Sequence, residues 1–186
     1  MIPVKQIVGS MRFALKDMQG VEISDFELVE AINQAAWLLY SRISEQFVSV
    51  GLKKKTLIVD ESGEAALPTD FLKVHQVGMS DEGVAEPTTY YINYGKYRIS
   101  GETFYAPEGA YGFEYYYVPA RVSSLNDFLD VPQSMLVYVA KIAVAMLQND
   151  LASAEQIVQS CVNSLTAREI SHFEDTGPVQ IFGGRL

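Results

Sequence analysis

Phe113-Glu114-Tyr115-Tyr116-Tyr117-Val118 closes a stretch, from Thr88 to Val118, that holds nine of the chain's eleven tyrosines. Aromatic and β-branched side chains suit the pleated, half-buried surface of a sheet, so this stretch predicts strand. Lys55-Thr56-Leu57-Ile58-Val59, Lys73-Val74-His75-Gln76-Val77-Gly78-Met79 and Tyr97-Arg98-Ile99 read the same way, each short and bounded by Gly, Pro, Asp or Ser. Asn93-Tyr94-Gly95 and Ser100-Gly101-Glu102 place turn residues at hairpin intervals, which favours a meander or small barrel over parallel βαβ units. Residues 53–122 are therefore expected to form an antiparallel β lobe.

On both sides of that lobe the period changes to that of a helix. Ser24-Asp25-Phe26-Glu27 is a capping box, in which hydroxyl and carboxylate each satisfy an unpaired backbone donor, so a helix is expected from Asp25. Leu28, Ile32, Ala35, Ala36, Leu39, Ile43 and Phe47 continue it as one apolar stripe ending near Gly51. A shorter helix spans Pro3 to Met18, with Gly20 closing it. Helical period returns after Val131-Pro132 with Met135, Val139, Ile142, Ala143, Met146 and Leu147. Asn149-Asp150 marks a turn, and Ser153-Ala154-Glu155-Gln156 offers a second capping box before Ile157, Val158, Cys161, Val162 and Leu165.

Neither helical part can bury its apolar face alone, which predicts an α+β fold. Residues 1–52 and 123–173 would form a discontinuous helical bundle and 53–122 the inserted β lobe. From 174 to 186 the chain has three glycines, a proline and no helical period. This segment reads as an extended arm with apolar anchors, or else as a disordered tail.

Composition excludes several classes. The 186 residues suffice for a real core, and 48% hydrophobic content with 20% charge excludes disorder over the whole chain. Twenty-three acids against fourteen bases give a formal charge of −9, which disfavours a domain that grips nucleic-acid phosphate. A single cysteine forms no intrachain disulfide, and no apolar run of membrane-spanning length occurs. No signal peptide is read in residues 1–20.

A search for chemistry returns little. Cys161 falls in a helical stripe as a small buried hydrophobe, His75 in a strand, and His172 near a helix C-terminus where it would meet terminal carbonyls. Asp60-Glu61-Ser62-Gly63-Glu64 is too short for a calcium loop and reads as a hairpin tip. Gly95-Lys96 has no upstream glycine in register for a phosphate loop. No catalytic residue, metal ligand or cofactor is expected. Lys53-Lys54-Lys55 reads as a solvated strand edge or as a phosphate contact, and the tyrosine band as half-buried sheet, interface or carbohydrate platform.

The order of pieces says more than any one of them. Glu64-Ala65-Ala66-Leu67-Pro68-Thr69-Asp70-Phe71-Leu72-Lys73-Val74-His75-Gln76-Val77 is followed by Tyr90-Tyr91-Ile92-Asn93-Tyr94-Gly95-Lys96-Tyr97-Arg98-Ile99. Next come Ala106-Pro107 through Tyr115-Tyr116-Tyr117-Val118-Pro119, then Val131-Pro132 through Val137-Tyr138-Val139-Ala140-Lys141 to Asn149-Asp150-Leu151-Ala152. Over residues 24–165 this succession resembles the tailed-bacteriophage head-to-tail adaptors, also called connector or tail-tubular A-like proteins.

The resemblance implies a non-enzymatic virion protein, assembled in the bacterial cytoplasm. It would form a ring of about a dozen copies, a dodecamer, under the portal protein at the head–tail junction. Portal contacts would come from the arm residues Val179, Ile181, Phe182, Arg185 and Leu186, and contacts to a downstream tail or nozzle protein from Tyr90, Tyr91, Tyr94 and Tyr97. DNA would pass through during genome ejection without specific binding, along a wall to which Glu22, Asp25, Glu27 and Glu30 are candidates. The alternative expectation is a cytoplasmic binding module whose tyrosine-rich lobe recognises glycan or peptide.

Overall fold

The computed structural model describes residues 1–46, 48–79, 90–91 and 97–175, with the backbone course alone for 79, 90–91 and 169–175. Along the chain lie β1 (Ile2–Pro3), α1 (Val4–Leu15), α2 (Asp25–Glu45), β2 (Leu52–Val59), β3 (Glu64–Ala66), β4 (Phe71–Met79) and β5 (Tyr90–Tyr91). They are followed by β6 (Arg98–Ser100), β7 (Thr103–Tyr105), β8 (Gly109–Tyr117), β9 (Phe128–Leu129), α3 (Leu136–Leu147) and α4 (Leu151–Asp175). The fold is α+β with antiparallel sheets.

The capping box forms as read: Glu27 N–H donates to Ser24 Oγ, and the Glu27 carboxylate accepts from Ser24 N–H at 2.8 Å. Other helix ends differ from expectation. α1 stops at Leu15, because Lys16 turns left-handed (φ 59) and the Asp17 N–H returns to the Arg12 carbonyl. Gly20 therefore shapes the following loop and does not close the helix. α2 ends at Glu45; Gly51 lies in a separate short turn where a Cβ would come within 2.7 Å of Ile43 Cγ2. Phe47 lies outside the described residues. A 3-10 turn, Gln133–Met135, separates Pro132 from α3. Asp150, not Ser153, caps α4: its carboxylate accepts from Ser153 N–H at 3.0 Å and its carbonyl from Ala154 N–H at 3.1 Å. Left-handed Asn149 (φ 57) turns the chain early enough for this shorter loop to win.

α3 carries Lys141 and Tyr138 among otherwise apolar residues, the composition of a helix buried on most sides. It packs against α1, α2 and α4. Arg42 of α2 meets Glu155 of α4 and Gln46 meets Gln159, so α2 and α4 run in the same sense. α4 returns from α3 through residues 148–150, and α2 is accordingly antiparallel to α3.

The antiparallel lobe, expected as a meander or small barrel, forms two sheets and not one continuous meander. One sheet runs β2-β8-β4-β5 and the second β3-β7-β6, so β8 lies between β2 and β4 while β4–β5 and β6–β7 pair in sequence. Aromatic burial joins the two sheets. Phe104 of β7 is fully buried and meets Tyr111 and Phe113 of β8 edge-on, at 5.5 and 5.7 Å between centroids. That contact lays the small sheet over the larger one. The Asp60–Gly63 turn is thus no hairpin tip; it carries the chain from one sheet to the other. The β6–β7 hairpin turns on Gly101, at φ 59. β4 has two bulges opposite β8, with Leu72 and His75 as the extra residues, which coil the strand. Helices and lobe meet along α2, which contacts both β4 and β8.

Candidate functional site

β2 is an edge strand, and its first lysine does not simply face water. Lys53 Nζ lies 2.8 Å from Asp70 Oδ2 at the start of β4 and 3.3 Å from Asp130 Oδ2 just before α3. It also sits 3.8 Å above the Tyr117 ring. Tyr115 donates to Asp70 Oδ1 at 3.0 Å, and the Tyr117 hydroxyl lies 3.2 Å from that of Tyr40 on α2. Five segments are thereby tied into one polar seam between lobe and helices. Lys54 pairs with Glu114 at 2.6 Å, and Lys55 is exposed.

Burial pushes the Asp70 carboxyl up, but hydrogen bonds from Lys53 and Tyr115 and the Lys53 charge outweigh it and hold it below the usual range. Burial likewise works against the Lys53 ammonium, whose two carboxylate partners leave it raised. Burial, then the hydrogen bond to Asp70, pushes Tyr115 up to about 12. Tyr40 and Tyr117 are also raised, chiefly by burial. These groups hold fixed protonation states near neutrality, which suits joining two layers better than exchanging protons. Lys53→Met keeps the stem and removes the charge; with the seam partly open to solvent, it should cost about 1 kcal/mol and lower Tm by roughly 2–4 °C in thermal unfolding. Asp70's depressed value makes its contribution fully present above pH about 4 and lost as pH falls through the folded value.

A second cluster shapes the corner between α1 and α2. Asp17 is buried and accepts from the N–H groups of Val21 and Ile23, at 2.9 and 3.1 Å, and from Arg12 at 2.8 Å. Arg12 reaches on to Asp25 at 2.6 Å. Burial raises the Asp17 carboxyl, yet these backbone bonds and the Arg12 charge hold it low.

The acids proposed for a channel wall gather at this end of α2, mostly engaged. Asp25 pairs with Arg12, Glu27 belongs to the capping box, and both Glu30 oxygens accept from Arg121 at 2.8 and 2.6 Å; Glu22 is exposed. Tyr97 stacks on Phe104 at 5.5 Å, and Tyr90 and Tyr91 form β5 beside Gly78 and Met79. Tyr94 lies outside the described residues, as do the arm residues Val179, Ile181, Phe182, Arg185 and Leu186. α4 runs through Asp175, two residues into the segment read as arm.

Tyr111, Tyr115, Tyr116 and Tyr117 are core side chains, so an aromatic platform could not be built from β8. Cys161 is buried, its thiol pushed up to about 11 by burial. His75 is exposed, its ring edge-on to Tyr116 at 5.5 Å. Asn33 escaped the sequence reading: its side chain donates to the Val122 carbonyl and accepts from the Val122 N–H, both at 2.9 Å. An amide inside an otherwise apolar stripe was its one available signal. Among the described residues no His, Cys, Asp or Glu cluster could hold a metal ion, and no helix is long and apolar enough to cross a membrane. Compared with known proteins, the chain matches no family model and no curated protein.

Proposed function

We propose that the chain is a structural subunit of a tailed-phage head-to-tail junction, forming a ring beneath the portal through which DNA passes without specific binding. The observation that carries this reading is spatial. Two of the separate pieces behind the resemblance, Leu67-Pro68-Thr69-Asp70-Phe71 and Tyr115-Tyr116-Tyr117, converge on the single ammonium of Lys53 through Asp70 and the Tyr117 ring, and Asp130, the residue directly before the Val131-Pro132 piece, joins them there. Pieces that share one joint make their succession along the chain a property of the fold and not a string of unrelated turns. A net charge of −9 per copy adds a channel wall that repels phosphate, to which exposed Glu22 contributes.

Native mass spectrometry of the protein alone and mixed with a candidate portal ring tests the reading. The expected result is capture of about a dozen copies per portal ring, abolished by removing residues 176–186. A protein that ignores portal rings, yet binds glycans or peptides, would instead make it a binding module.

A further inference from the structure

Two surfaces of the helical layer carry more apolar area than a lone chain needs. On α2, Phe26, Glu30, Gln34 and Trp37 recur at helical spacing along one outer face, with Phe26 77% and Trp37 56% exposed. On the opposite side of α3 runs a groove of about 430 Å³. Its floor is Val137, Lys141 and Val144 of α3, and its walls include Ala14 of α1 and Ser153 and Ile157 of α4. Met146, which lines the clefts beside α2, points the other way from α3, so ridge and groove face in opposite directions.

The two surfaces match. Phe26 to Trp37 and Val137 to Gln148 each span eleven residue steps, about 16 Å of helix. Small wall residues, Ala14 and Ser153, let a helix approach closely. Val137, 54% exposed, offers an apolar floor, and Lys141 has no ion-pair partner among the described residues. The ridge brings a carboxylate, Glu30, to the middle of its length, where both oxygens also accept from Arg121 of the same chain.

We infer that the α2 ridge of one copy seats in the α1–α3–α4 groove of a second copy, with Glu30, held by Arg121 of its own copy, shared with Lys141 across the contact. Because ridge and groove are different surfaces on opposite faces, the contact is head-to-tail and repeats without self-closing into a dimer. Its polarity follows from the fold and the ring. Neighbours in a ring of about a dozen copies differ by a rotation of only about 30°; α2 is antiparallel to α3 within a copy, so it runs roughly antiparallel to the neighbour's α3 as well. That alignment puts Trp37 over Val137 and leaves Glu30 one turn from Lys141, within reach of its long side chain. Glu30 then belongs to the joint between copies and not to a channel wall. The inference deepens the adaptor reading and rests on it for closure of the array into a ring and for the helix polarity that a ring of this size sets.

Disulfide trapping of the full chain tests it. Trp37→Cys with Val137→Cys in one chain should give, on oxidation, a ladder extending past dimers, whereas either single substitution stops at dimers; Cys161 is buried and does not interfere. Lys141→Glu or Glu30→Lys should each reduce the ladder at least about tenfold through like-charge contact, and the two together should restore it, which misfolded protein would not do. No ladder past dimers, or one indifferent to both reversals, overturns the interface. A ladder from a protein that no portal captures keeps the interface and removes the adaptor reading; portal capture unaffected by either reversal does the opposite.

Discussion

Phe104→Ala is expected to lower stability by about 3–5 kcal/mol and Tm by roughly 10 °C or more. Phe104 has no solvent exposure and contacts Tyr97, Tyr111 and Phe113, so its removal opens a cavity between the two sheets. β6 and β7 are three residues each, too short to persist as an isolated hairpin. Near-UV circular dichroism should therefore lose aromatic signal along with the thermal shift. Phe128→Ala, at an exposed position, is the control and should change stability by no more than about 0.5 kcal/mol. Equal losses for the two would mean that the small sheet is not held by Phe104.

Asn33→Leu is the second large effect, expected at about 2–5 kcal/mol. Leucine fits the space but strands both the N–H and the carbonyl of buried Val122, each at about 1–3 kcal/mol. Through this pair α2 holds the chain as it leaves β8 for the helical layer. Asn33→Asp separates the two bonds. A carboxylate still accepts from the Val122 N–H but opposes its carbonyl, so burial and that repulsion raise the folded-state value. Stability of this variant should rise as pH falls and the acid protonates, becoming a donor to the carbonyl, the reverse of the dependence expected from Asp70. A variant whose unfolding midpoint does not recover on acidification would contradict this account of the pair.

What was legible in the sequence was local. Ser24 and Glu27 cap a helix through atoms three residues apart, and the composition of Phe113–Val118 suffices to make strand. Where two local signals competed, a backbone detail decided: Asp150 and Ser153 both suit a cap, and left-handed Asn149 selected the first. Strand order was not legible, because β8 inserts between β2 and β4 through pairings far apart in sequence, and the stacking of the two sheets rests on Phe104, which no turn residue encodes. The seam was equally hidden. Lys53 read as an edge lysine, since its partners lie 17 and 77 residues further on. The groove over α3 emerges only when three helices come together, although the nearly unbroken apolar run of α3 already called for neighbours on most sides.

The pairing of β1 with β9 also sets a timetable. Ile2 is fully buried and bonded opposite Leu129, and Val4 and Lys5 donate to carbonyls at Asp127 and Leu125. On a ribosome adding about 5–20 residues per second, the first segment of this fold waits roughly 6–25 s for the strand that completes it. During that interval the apolar stripes of α1 and α2 lack α3, the helix both pack against, and α2 has only α1 and the strands β4 and β8 to lean on as they emerge. Maturation of the helical layer is thus a late event in synthesis, completed only after the whole β lobe has left the ribosome.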